Sequence, residues 1–193
     1  MLRYYITDRL ALGGTEALLQ AISLVCAAGI DYLQVREKDL TARELLDLTS
    51  RVLAIARPSG VRVLVNDRAD VAIAARAGGV HLPSGAIAPA SLRGLLPPGG
   101  LIAVSCHSVS DVLAAEREGA DFVVLGPIFD TPSKRQFGRP LGLAVLHEAA
   151  TAARIPVLAL GGIEERKIPE CLAAGAAGIA AIRLFQAAAS SDG

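Results

Sequence analysis

The chain has 193 residues, a length that one domain accounts for, and its residues are 52% apolar but only 4% aromatic, so the expected core is Ala, Val, Leu and Ile. Nineteen Lys and Arg balance nineteen Asp and Glu, which gives no general electrostatic case for nucleic acid or a membrane surface as partner and makes any anion site local. No apolar run approaches the roughly 18 residues of a spanning helix, the start MLRYYITDRL lacks a signal-peptide core, and Cys26, Cys106 and Cys171 form no CxxC pair, so the expectation is a cytoplasmic protein with reduced, buried thiols and neither a disulfide frame nor a structural zinc site.

In chain order, short apolar runs alternate with amphipathic stretches. Strands are predicted at 3–7 (RYYIT), 32–36 (YLQVR), 62–66 (RVLVN), 79–82 (GVHL), 101–105 (LIAVS), 122–125 (FVVL), 156–160 (PVLAL) and 178–182 (GIAAI). Helices are predicted between them at 15–28, 41–56, 69–77, 89–96, 108–118, 141–153 and 164–174. A Gly-capped helix end recurs before several strands, as in AAGIDYLQV and REGADFVVL. Alternating strands and helices imply a parallel sheet, and eight units suggest one α/β domain over 1–193, a (β/α)8 TIM barrel. After Phe185 only QAAASSDG remains, so the last helix is expected to be short or incomplete. A doubly wound open sheet is the alternative, but no GxGxxG follows the first strand.

The second strand carries Gln34, Arg36 and Lys38 on one alternating face. An edge strand with one wet face would show this pattern. In a barrel, the same face is core lower down and active site at the C-terminal mouth. Two unpaired cations facing in there would need an anion, and a ligand is the natural source. Thr41, with Glu44 three residues on, is the capping box of the helix that follows.

The other strand ends add to this. Asn66 and Asp67 close the third strand, either as a turn and helix cap or as a hard-cation site, since an Asp carboxylate with phosphate oxygens suits Mg²⁺. Ser105 and His107 close the fifth, and Ser108 with Asp111 looks like another capping box. The sixth strand leads into the long polar stretch GPIFDTPSKRQFGRPLG, with Thr131, Ser133 and Lys134, whose hydroxyls and cations suit phosphate. LALGGIEERK closes the seventh, where Gly161 and Gly162 admit close backbone approach before a helix N-terminus. Ile182 and Arg183 end the eighth, beside the usual barrel phosphate site. Two anion sites result: one joins strands two, three and six, with a metal, and the other joins strands seven and eight. A diphosphate and a monophosphate fit them.

In this order the segments YYITDR, QVREK, VNDRAD, GVHL, SCHS, GPIFDTPSK and LALGGI resemble the thiamine phosphate synthase/TenI family across nearly the whole chain. The resemblance implies a barrel that joins hydroxymethylpyrimidine diphosphate to thiazole phosphate. By that resemblance Gln34, Arg36, Lys38, Asn66 and Lys134 hold the pyrimidine diphosphate, and Asp67 binds Mg²⁺. Ser105 lies near the pyrimidine, and Thr131 and Ser133 lie in the loop that meets the phosphates. Gly162, Ile182 and Arg183 hold the thiazole phosphate. Arg36, Lys38, Ser105 and Lys134 are the expected catalytic set. The partners implied are these small phosphorylated substrates, and a homodimer is compatible with the chain.

Three positions depart from the family pattern. Ala86 stands where synthases usually carry a second metal-binding Asp, and LPSG resembles the TenI branch, which aromatises a thiazole carboxylate phosphate tautomer. Pro127 stands where TenI-type tautomerases tend to have His, which would leave His107 to move the proton. Arg183 stands where the family commonly has Ser. The alternatives to the synthase are therefore the tautomerase and a non-catalytic paralogue that binds thiazole phosphate.

Overall fold

The computed structural model describes residues 1–130 and 139–191. Eight strands close into a parallel barrel in sequence order: β1 (Leu2–Ile6), β2 (Tyr32–Val35), β3 (Arg62–Asn66), β4 (Gly79–Leu82), β5 (Leu101–Cys106), β6 (Phe122–Leu125), β7 (Val157–Leu160) and β8 (Gly178–Ala181). The helices are α1 (Thr15–Ala27), α2 (Ala42–Ala56), α3 (Ala69–Ala74), α4 (Pro89–Arg93), α5 (Val109–Arg117), α6 (Gly142–Ala152), α7 (Ile168–Ala173) and α8 (Arg183–Ser191). This is the (β/α)8 barrel, and the open-sheet alternative falls away because β8 pairs with β1. The last helix exists, and at nine residues it is short.

The Thr41–Glu44 capping box forms in full, whereas at Ser108 only the N-cap bond forms, because the Asp111 carboxylate accepts from the His107 N–H instead. The Thr41 backbone N–H donates to Glu44 Oε2 at 2.9 Å and the Glu44 N–H donates back to Thr41 Oγ1. The Asp111 N–H donates to Ser108 Oγ at 3.1 Å. α3 stops at Ala74, short of the predicted 77, because Arg76 turns into the left-handed region with φ 52°. The seventh helix starts as a 3-10 turn, Glu165–Lys167, before α7.

Two apolar layers hold the barrel. The outer one lies between strands and helices and is the Ala, Val, Leu and Ile core read from composition. The inner one differs. Tyr4, Ile6, Leu64, Ala103, Phe122, Val124, Leu158 and Ala180 fill the barrel, with Tyr32 packed against them. Tyr32 stacks on Phe122 with ring centroids 4.9 Å apart, and Tyr4 meets Phe122 edge-on at 5.5 Å. A few large rings therefore plug the barrel interior below the mouth. The three cysteines are buried and free. Burial pushes the Cys106 thiol up to about 12 and the Cys26 thiol up to about 11, so neither forms a reactive thiolate near neutral pH. No helix among the described residues is long and apolar enough to cross a membrane.

Candidate active site at the barrel mouth

Register decides which polar side chains enter the barrel. Gln34 pairs with Ile6 and Leu64, both inner-layer residues, and so points inward itself. Asn66 pairs with His81, which pairs with Ala103, and Ser105 pairs with Val124. Four polar side chains thus converge above the aromatic plug. Gln34 Nε2 donates to the Tyr4 hydroxyl at 3.0 Å. That hydroxyl meets His81 Nδ1 at 3.0 Å, and His81 Nε2 meets Ser105 Oγ at 2.8 Å. His81 is 2% exposed. Burial, and secondarily the nearby Arg36 charge, pushes its proton affinity down to about 3, so the ring is neutral. Sequence reading named Gln34, Asn66 and Ser105 but missed Tyr4 and His81, which stand in apolar runs as ordinary strand residues.

The cationic stripe on the second strand needs correction. β2 ends at Val35, not at residue 36, because the Arg36 N–H leaves the ladder to donate to Thr7 Oγ1 at 2.9 Å. Alternation therefore stops before Lys38, which sits exposed in a turn instead of facing into the barrel. Arg36 is half-buried. Neither side chain has a hydrogen-bond or ion-pair partner among the described residues. Between them Glu37 turns inward, only 6% exposed. It accepts from Thr7 Oγ1 at 2.6 Å and from the Arg9 N–H at 3.2 Å, with Arg9 Nε 3.9 Å away. Arg9 also pairs with Asp39. Burial raises the Glu37 carboxyl above its ordinary value, against the bonds from Thr7 and Arg9. Glu37 is the anchor that ties the loop after β1 to the loop after β2, and it too was missed.

Asn66 is half-buried at the mouth and Asp67 is exposed beyond it. Asp67 adopts φ 62°, a conformation Asp tolerates better than most residues. Its N–H donates to the His81 carbonyl at 2.8 Å, which holds it there. No cluster of three or more metal-ligating side chains occurs among the described residues. Ala86 lines a cavity of about 200 Å³ between the β4–α4 loop and α5, together with Ser84, Ile87 and Asp111. The Asp111 carboxylate there is already bound by the His107 N–H at 2.9 Å. His107 Nδ1 lies 2.6 Å from the Gly126 carbonyl and must donate to it, so this ring buttresses the start of the β6–α6 loop.

On the opposite rim, Gly161 and Gly162 have φ 98° and 64° and pack directly on the β6–α6 loop. The Phe129 N–H donates to the Gly161 carbonyl at 3.0 Å. Lys167 Nζ donates to the Gly162 carbonyl at 3.1 Å and lies 4.7 Å from the Phe129 ring centroid. Arg183 is not on β8, which ends at Ala181; it is the exposed first residue of α8, with half-buried Ile182 before it. Thr131, Ser133 and Lys134 lie outside the described residues. A Cβ on Gly162 would stand 2.7 Å from the Asp130 carbonyl oxygen and 2.8 Å from Phe129 Cβ. Gly162→Ala is therefore expected to displace the base of the β6–α6 loop, read as raised amide hydrogen exchange around Phe129, while thermal melting, governed by the intact barrel, drops by only a few degrees.

The mouth thus combines a neutral polar floor, cations after β2 without partners among the described residues, an Asp held in a left-handed turn and a glycine-rich rim beside a helix N-terminus. The sequence pattern of the family described as thiamine monophosphate synthase matches residues 3–185. The chain belongs to the thiamine monophosphate synthase family. Within it, a putative thiamine-phosphate synthase of Geobacter sulfurreducens is 48% identical over 179 residues, covering 93% of this chain and 84% of that one. The thiamine-phosphate synthase of Methanoculleus marisnigri is 40% identical over 179 residues, with the same two coverages of 93% and 84%. Among solved structures, thiamine phosphate pyrophosphorylase from Pyrococcus furiosus superposes with a TM-score of 0.83 at 28% identity, covering 99% of this chain and 96% of that chain.

Proposed function

We propose that this protein is a synthase-type transferase that couples hydroxymethylpyrimidine diphosphate to thiazole phosphate, releasing thiamine phosphate and diphosphate. The observation that carries this reading is the pair Arg36 and Lys38, cations just after β2 with no protein partner among the described residues, of which Arg36 acts on His81 in the neutral Gln34–Tyr4–His81–Ser105 floor. An aromatic ring with polar edges fits the floor, and its diphosphate fits the cations. Lys134, with Thr131 and Ser133, would complete the diphosphate pocket from the loop after β6. Gly162, Ile182 and Arg183 would hold the thiazole phosphate on the opposite rim.

In the reaction the bond between the pyrimidine methylene carbon and the diphosphate oxygen breaks, and its electron pair leaves with the diphosphate. The electron-rich ring spreads the positive charge left behind, and the thiazole nitrogen donates its pair to the methylene carbon. No protein nucleophile is needed. The chain's contribution is positioning and charge: Arg36 and Lys38 stabilise the negative charge growing on the leaving oxygens, and the rim holds the thiazole nitrogen in line. The donor set fits a Mg²⁺ that arrives with the diphosphate, because that ion commonly takes one or two carboxylates and leaves the rest to phosphate and water. Asp67 would hold it, and when bound it neutralises charge on the leaving diphosphate.

The TenI-type tautomerase is the second reading, favoured by Ala86 in place of the second carboxylate. Its proton carrier is weak here, since Pro127 cannot serve and His107 Nδ1 is committed to the Gly126 carbonyl. A coupling assay with both substrates and Mg²⁺ separates the two. Thiamine phosphate formation that EDTA abolishes is the expected result. Asp67→Asn, which keeps the turn but removes the charge, is expected to lower coupling by about a hundredfold and to raise the Mg²⁺ concentration for half-maximal rate. Isomerisation of a single thiazole substrate without metal would overturn the synthase reading.

A further inference from the structure

The row across the barrel floor has a direction. A phenol carries one proton. The Tyr4 oxygen accepts from Gln34 Nε2 at 3.0 Å, so its own proton is free to go to His81 Nδ1, also at 3.0 Å. A nitrogen that accepts there is unprotonated, which places the proton of the neutral ring on Nε2. Nε2 then donates to Ser105 Oγ at 2.8 Å. The Ser105 oxygen is thereby an acceptor towards the protein. Its own proton has no acceptor among the described residues, and Ser105 is half-buried at the open end of the row. The row spans β2, β1, β4 and β5, and Tyr4, Gln34 and His81 are each at most 2% exposed, so solvent does not compete for these bonds.

We propose that Tyr4 and His81 are positioning residues that fix Ser105 as a hydrogen-bond donor, so that the site selects a substrate ring whose edge offers an unprotonated nitrogen. This deepens the synthase reading and rests on it for the identity of the ring. Tyr4 and His81 form no hydrogen bond to the substrate themselves and act on it through Ser105. They set which way one hydroxyl points, at the place where the pyrimidine edge must be told apart from a carbon isostere. A site built to bond a polar atom rejects an analogue lacking it, because the site's own group is then left unpaired.

Two measurements test it. The ¹⁵N and ¹³C shifts of His81 in the ligand-free protein report the tautomer; Nε2–H with a bare Nδ1 is expected, and an Nδ1–H ring would overturn the relay. Calorimetry then compares hydroxymethylpyrimidine diphosphate with its two pyridine analogues, each with one ring nitrogen replaced by C–H. The wild type is expected to bind at least one analogue about tenfold more weakly. Tyr4→Phe keeps the ring packing on Phe122 but removes the proton supplied to Nδ1. It is expected to bring that discrimination to within about twofold while thiazole phosphate affinity stays unchanged. Full discrimination retained by Tyr4→Phe would overturn the proposal. Should that variant fail to fold, the tautomer of the wild type still decides. An Nε2–H ring in a protein that does not couple the two substrates would support the relay and overturn the synthase reading instead.

Discussion

Lys38→Ala and Arg36→Ala are each expected to lower kcat/KM for coupling by about a hundredfold, close to 2.7 kcal/mol, while leaving thiazole phosphate affinity within about twofold. The reason is where the charge grows. As the methylene–oxygen bond breaks, negative charge collects on the diphosphate, and a cation that meets it there stabilises the transition state more than the bound substrate. Lys38 is exposed in a turn and Arg36 is half-buried with its backbone fixed to Thr7. The two variants should therefore differ in rescue. Lys38→Arg, in an open position, is expected to recover most of the activity. Arg36→Lys is expected to recover little, because a point charge does not reproduce a planar guanidinium held in one place. Steady-state kinetics with each substrate varied in turn checks this, and unchanged coupling in Lys38→Ala would remove the diphosphate assignment.

Glu37→Ala is expected to cost about 3 kcal/mol of stability and to weaken coupling although Glu37 touches no substrate. The variant removes the acceptor of the fully buried Thr7 hydroxyl and of the Arg9 N–H, and one counter-charge of Arg9. Buried groups left unpaired in this way cost about 1–3 kcal/mol each, and breaking a buried pair about 3–5 kcal/mol. Removing a buried charge returns part of that, since burial holds the carboxyl above its ordinary value. For a chain of this size the loss appears as a fall in Tm of about 10 °C. The pH dependence has a definite sign. A carboxyl raised on folding binds its proton more tightly in the folded state. Its contribution to stability is therefore largest below the ordinary carboxylate range and is lost as pH rises through the folded value. Relative to Glu37→Gln, which does not titrate, the wild type is expected to gain stability as pH falls from 7 towards 4, as read by denaturant unfolding at each pH. A gap that narrows on acidification would contradict this account.

Local chemistry made much of the architecture readable. The Thr41–Glu44 and Ser108–Asp111 caps, the Gly-ended helices and the period-two apolar runs are interactions between residues a few positions apart; both caps form, and every predicted strand and helix exists, with ends shifted by a few residues. β3, β4 and β6 match their predicted bounds. The polar strand ends were readable for a related reason. Gln34, Asn66 and Ser105 interrupt apolar strands, and a barrel leaves few places for such residues except its mouth.

What needed the tertiary structure was whatever depends on residues far apart in the chain. Extending alternation from Gln34 to Lys38 failed because Thr7, twenty-nine residues before Arg36, takes the Arg36 N–H out of the ladder. With the period broken, Glu37 turns in and Lys38 turns out, so a buried carboxylate was invisible between two cations. Arg183 moved from a strand end to a helix start for a similar reason, since β8 stops where its pairing with β1 ends at Ala181. The floor row joins Tyr4 to His81 across seventy-seven positions and His81 to Ser105 across twenty-four. By itself the sequence determined the fold, the family and the polar ends of the strands, because those follow from periodicity and short-range caps. Only the closed barrel decided which of those polar groups meet and which are buried and neutral, because contacts and burial are set by neighbours that closure brings together.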